Sequence, residues 1–302
     1  MTPGHGSAGT RLRTLLHAGD TGPLLAPGCF DALSARLVEE AGFRVAHVSG
    51  AAVSAVSLGL PDLGFVGATD MVEAVSRISA AASVPLIADA DAGYGGPAQT
   101  ARTVHRYELA GAAALHVEDQ VLPKRCGHMA GKAIVPMAEA VARVEAAVGA
   151  RRDIVVIART DALSVAGADE AVRRAGAFAA CGADAVFVEG ALDQATADRV
   201  RAAAPGLPLV LNASESGTAD PAPAGAHAAL GARVVLSPVA PLLAAARAMR
   251  ATLHTLRTTG SAAGSTRMPW DELTDLLGLP ECASLEERLA PRPPGPFDTT
   301  RS

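Results

Sequence analysis

"DIVVIARTDALSVAGADEAVRRAGAFAACGADAVFVEG", residues 153–190, decides the reading of the fold. A β-branched run at 153–160 gives way to an alanine-rich stretch, and a second apolar run at 184–190 follows Cys181-Gly182. The two apolar runs suit buried strands and the stretch between them suits an amphipathic helix. A glycine just past that helix lets the chain turn back toward the sheet. The unit is therefore strand, helix, strand, and its two strands run parallel.

The same unit recurs on both sides. Further runs are "PLLAPG" (23–28), "RVAHVSG" (44–50), "VPLIADAD" (84–91), "AALHVED" (113–119), "LPLVLNAS" (207–214) and "ARVVLSP" (232–238), eight in all. Ala41-Gly42, Ala110-Gly111 and Leu230-Gly231 precede strands as Cys181-Gly182 does. Eight such units close a (β/α)8 TIM barrel, an α/β fold that commonly reaches this length as one domain. The expected organisation is a catalytic barrel over 11–258 and a C-terminal helical docking segment over 259–290. Pro/Gly/Ser-rich ends at 1–10 and 291–302 read as flexible tails.

Composition narrows the function. The net charge is −5 with Lys and Arg scattered, which argues against nucleic-acid binding. The amino end has no apolar signal region and no stretch nears about 18 uninterrupted apolar residues, so neither secretion nor membrane spanning is signalled and a cytoplasmic protein is expected. Aromatics make up 3% of the chain, so the core is expected to rest on small and branched aliphatic side chains. The four cysteines, Cys29, Cys126, Cys181 and Cys282, show no CxxC spacing and form neither a disulfide framework nor a zinc site.

Barrel chemistry gathers where strands end at their carboxyl side. The runs end on Ser49-Gly50, Asp89 and Asp91, His116 and Glu118, Arg159, Glu189, Asn212 and Ser214, and Ser237. Helix caps account for Ser, Asp and Asn at such places. They do not account for Arg159, Glu118 or Glu189. Asp89 and Asp91, two apart, are expected on one strand face, where two carboxylates repel unless a cation lies between them. Mg2+, with Mn2+ as a substitute, would serve, with Glu118 holding its waters; caps and surface ion pairs are the alternative.

"PKRCGHMAGK" (123–132) sets Cys126 among Lys124, Arg125, His128 and Lys132. Cations beside a thiol lower its pKa and suit it to proton transfer or attack, whereas the plainer reading is an inert loop cysteine. The polar rim favours the proton role on a carboxylate substrate.

"SGAAVSAVSLGLPDLG" (49–64), "DADAGYGG" (89–96), "HVEDQVLPKRCGHMAGK" (116–132) and "IARTDA" (157–162) resemble the isocitrate lyase and phosphoenolpyruvate mutase superfamily, in its 2-methylisocitrate lyase-like branch. The resemblance spans about residues 11–258. It implies a Mg2+-dependent lyase that cleaves a 2-hydroxy di- or tricarboxylate to pyruvate or glyoxylate and a dicarboxylate such as succinate. Asp89 and Asp91 match the metal-site aspartates, and Glu118 and Glu189 the supporting carboxylates. Ser49, Gly50, Ala51 and Arg159 match the grip on the oxo acid, and Asp62 a loop aspartate that approaches it. Asn212 and Ser214 would hold the remaining carboxylates. Cys126 would protonate the departing fragment, tuned by Lys124 and His128. The family also implies a dimer of dimers that swaps a helix between subunits.

Three features depart from the branch. His47 stands where methylisocitrate lyases carry a tyrosine tied to hydroxyl proton transfer, and carboxyphosphonoenolpyruvate mutase has histidine there. "NASESGTAD" (212–220) differs from the usual strand-seven motif, and "MPWDELTDLLGLPECASLEERL" (268–289) resembles the mutase-like tail. Carbon–phosphorus bond formation and oxaloacetate- or dimethylmalate-type cleavage thus stand as alternatives, beside a non-catalytic barrel.

Overall fold

The computed structural model describes residues 6–19, 22–127, 129, 131–213, 215 and 222–290. Eight parallel strands close a barrel in sequential order: β1 Leu24–Cys29, β2 Ala46–Val48, β3 Leu86–Asp89, β4 Ala114–Glu118, β5 Val155–Thr160, β6 Ala185–Val188, β7 Leu209–Asn212 and β8 Ala232–Ser237. β8 returns to β1, with Leu24 opposite Val234 and Pro27 opposite Ser237. Every strand lies on one of the eight runs read from the sequence.

The helices are α1 Ala8–His17, α2 Ala32–Glu40, α3 Gly50–Val53, α4 Ala68–Ala81, α5 Pro97–Leu109, α6 Met137–Ala150, α7 Ala162–Ala166, α8 Ala168–Ala180, α9 Gln194–Ala203, α10 Ala224–Ala229, α11 Ala240–Thr259, α12 Trp270–Leu276 and α13 Leu279–Leu289. A π-helical stretch, Ser54–Leu58, continues α3. Gly42, Gly111, Gly182 and Gly231 take φ between 79° and 95°, in the left-handed role assigned to them as helix-ending residues.

Alternation along the strands separates two environments. Leu24, Val45, Ile87, Ala114, Val155, Ile157, Phe187, Val210 and Val234 form one buried cluster, joined by Leu12 and Leu16 of α1. This is the barrel interior, with α1 closing it at the strand N-termini. The opposite face of the strands packs with the helices, as in Val156 with Val144 and Phe178, and Val186 with Ala175 and Val200.

α1 takes in residues 8–10, which the sequence reading placed in a tail. Ser7 caps the helix by accepting from Thr10 N, and Gly9 N donates to Asp153 Oδ2 at 2.9 Å. The chain divides into two compact units, Met1–Met249 and Arg250–Ser302, a division inside α11 and ahead of the 258/259 boundary read from the sequence. None of the residues of α11, α12 and α13 is buried. Residues 1–5 and the tail at 291–302 lie outside the described residues.

Candidate functional site

The rim follows from the interior by counting. Two residues beyond Val45, Ile87, Ala114, Ile157, Phe187 and Val210 stand His47, Asp89, His116, Arg159, Glu189 and Asn212, pointing to the same side of their strands. Register brings neighbours level: Asp89 opposes His116, Glu118 opposes Arg159, and Arg159 opposes Phe187. A cavity of about 140 Å3 lies over this layer. Its walls include His47, Ser49, Ala51, Asp62, Asp89, Glu118, Lys124, Cys126, Arg159, Glu189 and Asn212.

Arg159 is a fixed cation of the chamber. Its Nε lies 3.0 Å from Asp161 Oδ2 and 3.2 Å from Glu118 Oε2. Its Nη2 lies 3.6 Å from Glu189 Oε2, and its guanidinium stacks 5.1 Å over the Phe187 ring. Burial works against the charge, but Asp161, Glu118 and Glu189 outweigh it and hold its pKa well above the usual value. Burial pushes Glu118 well up, with Arg159 pulling against it. Glu118 Oε1 is buried without a hydrogen-bond partner.

Asp89 ends β3, whereas Asp91 lies beyond the strand with φ 45°. Strand alternation, from which the two were expected on one face, therefore does not place Asp91. A left-handed turn does, closed by Asp91 N donating to Asp89 Oδ1 at 3.0 Å. Tyr107 Oη, itself 3.0 Å from Tyr94 Oη, donates to Asp89 O and pins the turn. Lys124 Nζ bridges Asp62 Oδ1 at 2.6 Å and Asp91 Oδ1 at 2.8 Å. Burial and the neighbouring Asp89 raise Asp91 to about 7 against the pull of Lys124. For Asp89 burial is outweighed by His116, Lys124 and Arg159, and its pKa falls below the usual range.

His47 Nε2 and His116 Nε2 meet at 3.0 Å, with rings stacked 5.3 Å apart. Burial lowers His116 to about 4 and, with His116 beside it, lowers His47 to about 3. Both imidazoles are neutral at physiological pH, so the positive field on Asp89 there comes from Lys124 and Arg159. His47 thus enters the site as a neutral hydrogen-bonding group.

In the Cys126 loop the Lys124 ammonium, expected to tune the thiol, pairs with Asp62 and Asp91 and lines the same cavity as Cys126. Gln120 clasps the loop backbone, donating from Nε2 to Arg125 O at 2.9 Å and accepting from Arg125 N at 3.0 Å. Two of the residues matched to the oxo-acid grip also have partners within the protein. Gly50 N donates to Asp89 Oδ2 at 3.3 Å and Ser49 Oγ caps α3, while Ser49 and Ala51 face the cavity. His128 and Ser214 lie outside the described residues.

Sequence reasoning assigned no role to Asp161 or Gln120. Asp161 follows a strand and precedes α7, so it reads as a cap; its signal was Arg159 two residues earlier, a buried cation in need of a carboxylate. A second cavity of about 460 Å3 shares Gly127, Glu189 and Asn212 with the first. Ala191, Leu192, Leu211, Ala213 and Leu230 contribute apolar wall to it.

Known proteins resemble the chain over most of its length. Residues 12–257 match the phosphoenolpyruvate phosphomutase family. The chain is 37% identical over 271 residues to 2,3-dimethylmalate lyase of Eubacterium barkeri, covering 88% of this chain and 93% of that protein. It is 40% identical over 256 residues to 2-methylisocitrate lyase of Shewanella oneidensis, covering 84% and 87%. The structure of oxaloacetate acetylhydrolase with 3,3-difluorooxalacetate superimposes with a TM-score of 0.87 at 37% identity, covering 93% of this chain and 97% of that one.

Proposed function

The chain belongs to the phosphoenolpyruvate phosphomutase family, in the isocitrate lyase and phosphoenolpyruvate mutase superfamily, and from that premise we propose a Mg2+-dependent carbon–carbon lyase. Its substrate is a 2-hydroxy di- or tricarboxylate of the 2-methylisocitrate kind, cleaved to pyruvate or glyoxylate and a dicarboxylate such as succinate. One observation carries the reading: Arg159, the carboxylates Asp89 and Glu118, and the Cys126 thiol face a single small cavity.

The donors fit a hard cation. They are oxygens from Asp89, Asp91 and Glu118, and Glu118 Oε1 is left without a partner. Among the described residues no three His, Cys, Asp or Glu side chains gather as a self-sufficient metal nest. Mg2+ needs none, since it binds through one or two carboxylates and fills its remaining positions with water and substrate oxygens; Mn2+ would substitute. Bound there, the ion would acidify the substrate hydroxyl and stabilise the developing oxyanion.

The side chains divide the rest of the work. Arg159 holds the carboxylate of the nascent oxo acid, and the neutral His47–His116 pair floors the chamber without adding charge. Lys124 offsets Asp62 and Asp91 beside an anionic substrate. As the carbon–carbon bond breaks, the substrate hydroxyl gives up its proton and becomes the oxo group, and the bond's electron pair stays with the departing dicarboxylate. Cys126 supplies a proton to that carbon, the hydroxyl proton making good the one the thiol has given. The rest of the acid extends past Asn212 into the adjoining cavity.

The second reading is cleavage of dimethylmalate or oxaloacetate, supported by the likeness to 2,3-dimethylmalate lyase and oxaloacetate acetylhydrolase. Carbon–phosphorus bond formation is the third, supported by His47. We further infer a homo-oligomer, a dimer of dimers with an exchanged helix, which would cover the exposed Leu253, Trp270, Leu279 and Leu289. No helix among the described residues is long and apolar enough to cross a membrane, and a cytoplasmic site of action agrees with small carboxylate substrates.

The test is release of pyruvate or glyoxylate from 2-methylisocitrate, isocitrate, dimethylmalate and oxaloacetate with Mg2+. Chelator-sensitive release from one acid identifies the substrate. Silence across the panel from folded protein overturns the lyase.

A further inference from the structure

The loop that carries Cys126 is tied down a second time, on the far side of the thiol, by contacts that no catalytic role requires. Lys132 Nζ donates to Gly127 O at 2.6 Å and to Asp161 Oδ1 at 2.6 Å. Its side chain is 5% exposed and that of Asp161 is fully buried. Asp161 is the carboxylate that receives Arg159 Nε at 3.0 Å and Nη2 at 3.3 Å. It is itself fixed from behind: its backbone N–H donates to Asp119 Oδ1 at 3.0 Å, and Arg174 Nη1 holds Asp119 Oδ2 at 2.9 Å.

Steric fit joins the same partners independently. A Cβ at Gly127 would stand 2.8 Å from Arg159 Nη2 and 2.9 Å from Glu189 Cδ, so the loop backbone rests directly on the substrate-facing guanidinium. A side chain at this position would have to displace the guanidinium or Glu189. The loop base is clamped separately, by the Gln120–Ile134 bridge and by Val121 N donating to Ala133 O at 2.9 Å. Lys132 is therefore not needed to form the loop. What it adds is a connection from the residue after the thiol to the carboxylate that orients Arg159.

We propose that Lys132 and Asp161 are positioning residues that register the Cys126 loop on Arg159, so that the proton donor and the carboxylate-binding cation keep one geometry. Lys132 draws Gly127 onto the guanidinium, and Asp161 holds the guanidinium where Gly127 meets it. Neither touches the reacting atoms. The kinetic consequence rests on the lyase reading, but the positional one does not.

The experiment uses the full-length protein in a Cys181→Ser, Cys282→Ser background and follows iodoacetamide modification of Cys126 by peptide mass, with melting temperature measured in parallel. Losing a charged buried hydrogen bond should release the loop and lower the melting temperature by a few degrees, so Lys132→Met is expected to speed Cys126 alkylation by about ten-fold or more at a temperature well below its own melting point. Lys132→Arg should restore part of the protection. Asp161→Asn should also speed alkylation and, by loosening Arg159, raise KM. Gly127→Ala, which leaves Lys132 intact, should speed it by lifting the loop off the guanidinium. On the turned-over acid, Lys132→Met should lower kcat by roughly 10–100-fold with little change in oxo-acid binding, the scale of losing an outer support of a site. Alkylation at the unaltered rate in folded Lys132→Met, or in Gly127→Ala should Lys132→Met not fold, overturns the proposal. Faster alkylation in a protein inactive on every acid would retire the lyase reading and leave the positioning in place.

Discussion

The two ends of the barrel are made from the same eight strands and the same inward alternation, and they hold opposite kinds of side chain. At the strand N-termini Leu24, Val45 and Val155 meet Leu12 and Leu16 of α1, an apolar layer sealed from water. At the strand C-termini the inward positions carry His47, Asp89, His116, Glu118 and Arg159, all buried. Charges taken out of water cost stability unless each is paired and hydrogen-bonded. The rim meets that condition through Lys124 with Asp62 and Asp91, and through Arg159 with Asp161 and Glu118. The lesson is a division of labour: the apolar end supplies cohesion, and the charged end can hold groups chosen for chemistry.

That division can be broken or sharpened by substitution. The largest effect is expected at Asp89, where Ala removes a proposed metal ligand and the acceptor for Gly50 N. Turnover should fall by roughly 10³-fold or more, the scale of losing an electrostatic support for the transition state, and retained activity in chelator-stripped buffer would sink the metal role. Cys126→Ser should cut kcat by about 10²–10⁴-fold while the 2-oxo acid still binds by calorimetry, because only proton delivery is lost. Near-normal turnover would make the thiol a bystander.

At the other end the readout should change in kind. Leu12→Ala should cost about 2–5 kcal/mol in denaturant unfolding, as for other leucines cut from a packed core, and leave kcat at 25 °C unaltered. A matching loss of kcat would show that the two ends are not independent. The smallest expected effect concerns pH. An unfolded histidine takes its proton near 6.5, whereas buried His47 waits until about 3. Between those values the unfolded chain holds more protons, so acid favours unfolding and stability falls as pH drops below 6.5. His47→Gln should flatten that slope by about one proton between pH 6 and 4. An unchanged slope would mean that His47 is not buried neutral.

Much of the rim was legible because strand alternation is a local property. Once 113–119 and 153–160 read as strands, Glu118 and Arg159 followed as inward groups at their ends. The partners of those groups were less accessible. Lys124 reaches Asp62 across 62 positions, His47 meets His116 across 69, and Lys132 meets Asp161 across 29. Several of these residues stood out in the sequence, but nothing local pairs any of them with its partner. Asp91 shows the limit from the other side: period two gave it a place near Asp89, but the place is owed to a left-handed turn outside the strand.

By itself the sequence determined the number and order of the strands, the glycines that end the helices, and the end of the barrel at which polar residues collect, because hydrophobic period and turn chemistry act over a few neighbouring residues. Only the tertiary structure decided which cation each carboxylate holds, that Lys124 and Lys132 anchor the Cys126 loop, and that the two histidines are neutral. Ion pairing and desolvation depend on distances between strands and loops far apart in the chain, and closing the barrel is what sets those distances.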